Sequence, residues 1–120
     1  MTTYLLTICP LSVNRFSSFF ELYDTTMNVF NDIIRLVDAD VIAFRFSDDP
    51  YYHIHAVISV KGRIRYDYIH KTVPKGFHVH LAPLRKRKDV DNAKEYVLRH
   101  RPAHYVSVDS DVTFINRDGN

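Results

Sequence analysis

Two histidines separated by one apolar residue, His53 and His55, are the residues whose types and spacing most directly indicate chemistry. Alternate residues of a β-strand point to the same side, so both imidazoles would share one face while Ile54 faces the core. Imidazole is the commonest side-chain ligand of functional metals, so the pair predicts half of a metal site. The alternative is a surface or hydrogen-bonded pair, which is the more frequent role of this pattern.

A tyrosine on a separate element, Tyr96, is the candidate nucleophile. The helix predicted over residues 89–101 has an apolar stripe at Val90, Ala93 and Val97. Tyr96 falls off that stripe, on a polar side that also carries Arg99. A phenol of ordinary pKa about 10 is mostly protonated near neutral pH, and a nearby cation favours its ionised form. The alternative is a packing role, as for most of the eight tyrosines of the chain.

The elements that must position these residues alternate between strand and helix patterns. The helical patterns cover residues 14–37, with a candidate interruption at 24–26, and residues 89–101, with Asp89 as the predicted cap. The strand patterns cover residues 3–8, 41–46, 52–60, 64–69, 77–81, 105–108 and 112–115. Together they predict an α+β fold, a central antiparallel β-sheet with helices packed on one face. We expect one domain over residues 1–116 and a flexible tail over 117–120.

Composition narrows the classes of protein to which the chain can belong. At 46% hydrophobic and 25% charged residues, it is typical of a soluble globular domain. Cys9 is the only cysteine, which excludes an intramolecular disulfide and favours a reducing, cytoplasmic setting. No segment approaches the roughly 20 apolar residues of a membrane helix, so we expect no membrane partner.

Basic residues are concentrated although the net charge is only +2. The run Arg85, Lys86, Arg87 and Lys88 predicts contacts with phosphates, with a solvated loop as the equal alternative. A second cluster holds Lys61, Arg63 and Arg65. A second His-x-His, at His78 and His80, either supplies a ligand or DNA contact or reflects a chain with seven histidines.

Three segments in order resemble the motifs of the HUH endonucleases, which initiate rolling-circle replication in plasmids and small DNA viruses. The first is Leu6-Thr7-Ile8-Cys9-Pro10, similar to an apolar strand that ends in Thr-x-x-Pro. The second is His53-Ile54-His55, and the third is Tyr96 with Arg99 at the lysine position of Tyr-x-x-Lys. The resemblance spans about residues 3–101, and the compact chain looks most like the Rep proteins of archaeal rod-shaped viruses.

The resemblance implies an RRM/ferredoxin-like fold and a metal-assisted DNA-nicking activity. His53 and His55 would bind Mg²⁺ or Mn²⁺, Tyr96 would form a 5′-phosphotyrosine bond with single-stranded DNA at an origin or terminus, and Arg99 would stabilise charge. The run 85–88 and His80 would contact the DNA. A single nucleophilic tyrosine per chain further predicts a homodimer, with residues 112–115 as a candidate edge. The dimer would act with host replication proteins in the host cytoplasm.

Two departures from the family pattern concern the metal and the proton. Strand pairing places Ala43 or Arg45 opposite the histidines, where the family usually has a polar third ligand. The residues that could substitute are Asp48, Asp49, Glu21 and His80, with water and a DNA phosphate as the other sources. Arg99 in place of lysine keeps the charge, but it cannot donate a proton near neutral pH.

Three other functions are compatible with parts of this pattern. A single-tyrosine HUH transposase would use the same chemistry on hairpins at element ends. A non-catalytic module would stack single-stranded nucleic acid on an open sheet. A two-histidine phosphoesterase is disfavoured because Ala56 and Leu81, not Thr or Ser, follow the second histidine of each pair.

Overall fold

The computed structural model describes residues 1–48 and 51–99, with Arg99 described by its backbone only. The strands are β1 (Thr2–Pro10), β2 (Asp40–Ser47), β3 (His53–Val60) and β4 (Phe77–Leu84). The α-helices are α1 (Phe19–Val37), α2 (Tyr66–Thr72) and α3 (Arg87–Arg99), and a 3-10 turn covers Val13–Arg15. Residues 105–108, 112–115 and 117–120, for which we predicted strands and a tail, lie outside the described residues.

The four strands form one sheet in the order β2-β3-β1-β4, and every neighbouring pair is antiparallel. With α1 between β1 and β2 and α2 between β3 and β4, the topology is that of a ferredoxin-like fold. The predicted α+β class and antiparallel sheet are therefore confirmed. The sheet brings the first strand of the chain between the histidine strand β3 and β4, the last strand on that side among the described residues.

The main core lies between one face of the sheet and the helices α1 and α2. Alternate residues of each strand point to this face because the side-chain period of a strand is two. Ile54 is fully buried there, as the pattern around the histidine pair predicted. The other large buried side chains of this core include Leu6, Ile8, Phe30, Ile33, Phe44, Phe46, Ile58 and Ile69.

Helix α3 packs on the opposite face of the sheet from α1 and α2, so the expectation that all helices share one face does not hold. Ala93 and Val97 of α3 are buried against Ala43 of β2 and Val57 of β3. The apolar stripe that we predicted on this helix is therefore confirmed. The period of the stripe shows which side of the helix is buried, but it does not show against which face of the sheet that side packs.

Two predicted elements need correction. Residues 64–69 were expected to form a strand, because apolar and basic residues alternate there, but α2 begins at Tyr66. In this short helix only Ile69 is buried. The Tyr66 hydroxyl ties the start of the helix to β4, because it donates to the carbonyl of Val79 (2.7 Å). Helix α3 begins at Arg87, so Asp89 lies in its first turn instead of capping it.

Helix α1 runs from Phe19 without the break considered at residues 24–26, and Ser18 caps its N-terminus. The Ser18 hydroxyl accepts from the backbone N–H of Glu21 (3.1 Å). In return, the Glu21 carboxylate accepts from the backbone N–H and the hydroxyl of Ser17, and these hydrogen bonds lower the pKa of Glu21. The Ser18 hydroxyl thus satisfies one helix-terminal donor, while the Glu21 carboxylate binds the residue before the cap, whereas in a standard capping box it would bind the cap itself.

Replacing the cap by Ser18→Ala should lower the free energy of unfolding by about 1 kcal/mol, because one helix-terminal N–H loses its acceptor. Urea denaturation followed by circular dichroism would measure the shift in midpoint. Ser12→Ala is the matched control, since the Ser12 side chain makes no capping hydrogen bond in front of its 3-10 turn. Equal midpoints for the two variants would show that the cap contributes nothing.

Candidate active site

The face of the sheet that carries α3 also carries a group of polar side chains, which we call the histidine face. Strand register places Arg45, His55, Thr7 and His80 in one row across β2, β3, β1 and β4. Residues directly opposite each other in antiparallel strands share a face. Side chains two residues along each strand extend the histidine face, and they are Ser47, His53, Cys9 and His78.

His53 is held in a defined orientation. Its side chain is buried, at 6% exposure, and its Nδ1 lies 2.7 Å from the backbone carbonyl oxygen of Tyr51. A carbonyl can only accept, so Nδ1 must carry the proton and donate it, which leaves the Nε2 lone pair available in the neutral ring. Ligand histidines commonly have their second nitrogen fixed in this way. The contact with Tyr51 was not predicted, because a backbone acceptor across a turn has no signal in the sequence.

Tyr96 and the two histidines lie side by side. The ring centroids of His53 and His55 are 4.4 Å apart, and those of His55 and Tyr96 are 5.5 Å apart. Tyr96 is 40% exposed, off the buried stripe of α3, so its ring borders solvent beside the pair. The structure thus brings Tyr96 next to two histidines that lie about forty positions earlier in the sequence.

Arg45 connects the histidine face to the end of α3. It pairs with His55 across β2 and β3, as one of the two predicted alternatives, whereas Ala43 pairs with Val57. The Arg45 side chain is 5% exposed, and its Nη2 donates to the carbonyl oxygen of Leu98 (2.6 Å) in the last turn of α3. A cation at this position is favoured by the helix dipole. The bond fixes the turn that follows Tyr96 against the sheet.

The third metal ligand is not among the predicted candidates that the structure describes. Within residues 1–48 and 51–99, no group of three or more His, Cys, Asp or Glu side chains could hold a metal. Glu21 is wrong as a candidate, since its carboxylate is bound to Ser17 at the start of α1, on the other side of the sheet. His80 shares the histidine face, but β1 separates it from His55, so their backbones are about 10 Å apart.

Asp48 follows Ser47 at the end of β2 and belongs to no such group, while Asp49 lies outside the described residues. Among the described residues, the donors beside each other are two imidazoles, one with a fixed tautomer. Mixed imidazole and oxygen ligation suits Mn²⁺ and Mg²⁺ when water and a phosphate supply the oxygens. The pair fits such an ion only as part of a shell that the substrate completes.

The remaining predicted residues lie at the two ends of α3. Arg99 is its last residue, and its side chain lies outside the described part of the structure. Arg85, Lys86, Arg87 and Lys88 are exposed where β4 leads into the first turn of α3. Arg87 lies nine positions before Tyr96, which is about 14 Å along a helix. The basic run is therefore not brought next to the histidine pair.

The exposed ring of Tyr51 is a second feature that sequence analysis missed. Its centroid lies 5.4 Å from that of His53, and the side chain is 59% exposed. Aromatic rings thus follow one another from Tyr51 through the histidines to Tyr96. The signal available in the sequence was its position two residues before His53, just after the turn.

Cys9 lies at the end of β1 on the histidine face, and burial raises the pKa of its thiol. We expect alkylation by iodoacetamide near neutral pH to be slower in the folded protein than in urea, because the thiolate is the nucleophile. Because the pKa of the Cys9 thiol is raised in the folded protein, the thiol ionises more readily in the unfolded chain. The contribution of this group to the free energy of unfolding is therefore retained below the unfolded pKa and is lost as the pH rises through the folded pKa. Equal alkylation rates in the two states, followed by mass spectrometry, would contradict this expectation.

Comparison with known proteins identifies the fold only. No family model matches the chain, and no curated protein matches it in sequence. A crystal structure with a similar fold is that of the hypothetical protein ORF119 from Sulfolobus islandicus rod-shaped virus 1. It is 15% identical, the match covers 82% of each chain, and the TM-score is 0.53. None of the helices within the described ranges is long and apolar enough to cross a membrane.

Proposed function

We propose that the protein is a replication initiator that nicks and rejoins single-stranded DNA at an origin or terminus through Tyr96. The observation that carries the proposal is the run of His53, His55 and Tyr96, with ring centroids 4.4 and 5.5 Å apart. The order of the three motifs supports it, because the fold brings the second and third together. The similarity in fold to a protein of a rod-shaped virus agrees with a viral setting.

In the proposed reaction, the phenolic oxygen of Tyr96 attacks the phosphorus of a phosphodiester. A bond forms between that oxygen and phosphorus, and the bond between phosphorus and the 3′-oxygen of the preceding nucleotide breaks. The phenol loses its proton to solvent, and the departing 3′-oxygen takes one up to become a hydroxyl. The product is a 5′-phosphotyrosine whose bond energy allows a 3′-hydroxyl to reverse the step and rejoin the strand.

The neighbouring residues position the phosphate and the nucleophile. His53 and His55 would hold Mg²⁺ or Mn²⁺, which supplies polarisation of the phosphate when bound. The Tyr51 carbonyl orients His53, and the Arg45 bond to Leu98 holds the turn that follows Tyr96. Arg45 also adds positive charge beside His55, where negative charge develops during transfer. At Arg99, a charge-stabilising role stays a prediction.

The proposed substrate is a single strand because Tyr96 lies on α3 where that helix borders the sheet beside His55. A phosphate within a stacked duplex would have to reach this junction of helix and sheet in line with the phenol. The predicted homodimer and cooperation with host replication proteins are part of the proposal, since two strand transfers are needed in each replication round. Light scattering at micromolar concentration tests the dimer, and a monomer there would refute it.

The test of the proposed function is a covalent adduct. The protein would be mixed with Mn²⁺ and fluorescent single-stranded oligonucleotides drawn from the ends and origin of the source genome, then separated on a denaturing protein gel. We expect a labelled adduct that disappears with a metal chelator, and peptide mapping should place the nucleotide on Tyr96. Binding of the same oligonucleotides with no adduct in any metal would refute the nuclease.

A non-catalytic module that binds single strands is the second candidate, favoured by one specific observation. Tyr51 and Tyr96 expose 59% and 40% of their surface at the two ends of the ring series on an otherwise polar sheet face. Exposed rings of this kind stack bases without regard to sequence. This candidate predicts binding that needs no metal. A single-tyrosine transposase would form the same adduct, and mapping its cleavage sites to element ends would identify it.

A further inference from the structure

A cleft of about 550 Å³ opens at the end of the sheet where β1 begins, away from the histidine pair. It lies between the first residues of β1, the end of β4, the start of α3 and the segment that precedes α2. Its cationic lining residues are Arg63, Arg85, Lys86 and Arg87. We call this the basic cleft.

The basic cleft joins two clusters that are separate in the sequence. Arg63 comes from the segment after β3, while residues 85–87 lead into α3, more than twenty positions later. None of the residues that line the cleft is acidic. The ion pairs recorded within residues 1–48 and 51–99 belong to Arg35 and Arg65, so they do not neutralise the cleft cations.

Local energetics disfavour this arrangement in the absence of an anion. Arg87 and Lys88 occupy the first turn of α3, where the helix dipole disfavours cations. Their exposure means that packing gives no reason for their presence. Asp89 is the only acidic residue in that turn. Departures from local rules of this kind concentrate at functional sites.

We propose that the basic cleft binds the phosphodiester backbone of a nucleic acid strand at phosphates remote from the one that Tyr96 attacks. That these phosphates are remote from a cleavage point rests on the proposed function. That the cleft binds phosphates does not. Thr3 lines the cleft, and Thr7, which pairs with His55, lies four residues further along β1, about 13 Å away. A strand that contacts both sites would pass around α3, which packs against Leu5 between them.

The lining selects phosphates and not bases. Tyr4 is the only aromatic residue in it, its side chain is buried, and its hydroxyl accepts from the backbone N–H of Ile64 (3.1 Å). The other lining side chains are aliphatic, threonine or cationic, so the cleft offers no exposed ring on which a base could stack. Contacts of this kind fix a strand in place without reading its sequence.

The experiment measures the salt dependence of binding of a fluorescent single-stranded oligonucleotide, without metal, by anisotropy. Arg63→Gln should weaken binding about fivefold at 0.1 M salt and reduce the slope of log K against log salt by about 0.7, as expected for one lost phosphate contact. Lys71→Gln, which removes an equally exposed charge at the end of α2, is the matched control and should leave both unchanged. Thermal unfolding would verify that both variants fold.

A second arm replaces single phosphates of the oligonucleotide by uncharged methylphosphonates. A phosphate lies in the cleft if its replacement weakens binding to the wild type but not to Arg63→Gln. We expect these phosphates to lie away from the cleavage point. Arg63→Gln that binds like Lys71→Gln would overturn the basic cleft, even if the Tyr96 adduct forms. Displacement of the oligonucleotide from the cleft by millimolar inorganic phosphate would also overturn it, in favour of a small-anion site. A Tyr96 adduct that never forms, beside weakened binding by Arg63→Gln, would refute the nuclease and keep the cleft.

Discussion

Tyr96→Phe should abolish the covalent protein–DNA adduct and leave the affinity for uncleaved single strands nearly unchanged. The substitution removes one oxygen, the only atom that the proposed reaction requires of this side chain. The ring would keep its place beside His55, at a centroid distance of 5.5 Å. Because Tyr96 is partly exposed and lies off the apolar stripe of α3, the variant should keep its fold, which thermal unfolding would verify.

The measurement is the labelled band on a denaturing gel together with anisotropy on the same oligonucleotide. Tyr68→Phe is the matched control, since Tyr68 is 56% exposed on α2, on the other side of the sheet, and should form the adduct like the wild type. An adduct that persists in Tyr96→Phe would show that another group is the nucleophile. Peptide mapping would then reveal whether it is Tyr51, whose ring contacts His53.

Local patterns were sufficient for the parts of the site that lie on one element. The two-residue period of a strand predicted that His53 and His55 share a face and that Ile54 is buried, and both hold. The helical period placed Tyr96 outside the apolar stripe of α3, as observed. Pairing of β2 with β3 across a short turn predicted Ala43 or Arg45 opposite the histidines, and Arg45 is the one observed there.

Features that depend on contacts between distant segments could not be predicted. Helix α3 packs on the side of the sheet that carries Ala43 and Val57, and no local pattern reveals that these residues are its partners. The meeting of Arg63 with residues 85–87 likewise depends on where the segment after β3 returns to the sheet. The prediction of a strand at residues 64–69 was wrong for a related reason. One buried residue, Ile69, is compatible with the two-residue period of a strand and with the 3.6-residue period of a helix.

His53→Ala should lower the rate of metal-dependent adduct formation by about a hundredfold or more, since loss even of a group that orients a ligand commonly costs 10–100-fold. The imidazole would supply one of two protein ligands, and its Nε2 is preorganised by the bond from Nδ1 to the Tyr51 carbonyl. His78→Ala is the matched control. It removes an exposed histidine from the same face on β4, two strands away, and should retain wild-type rates.

Stability must be separated from chemistry in this comparison, because His53 is buried and His78 is not. Removing the ring leaves the Tyr51 carbonyl without its donor, which destabilises by about 1–3 kcal/mol if water cannot replace it. Thermal unfolding would measure that loss, and the assay would be run well below the melting temperature. Binding of Mn²⁺, measured by water-proton relaxation with bound oligonucleotide, reports directly on the proposed ligand.

The two histidines should also differ from each other. His53 is oriented by a backbone carbonyl, which persists whatever side chain residue 51 carries, whereas His55 is half-buried and borders Tyr96. We therefore expect His53→Ala to weaken Mn²⁺ binding, His55→Ala to weaken it and also disturb the position of the nucleophile, and Tyr51→Ala to leave it intact. Slow adduct formation by His53→Ala with unchanged Mn²⁺ affinity would contradict ligation, and it would assign the pair to the structure of the sheet.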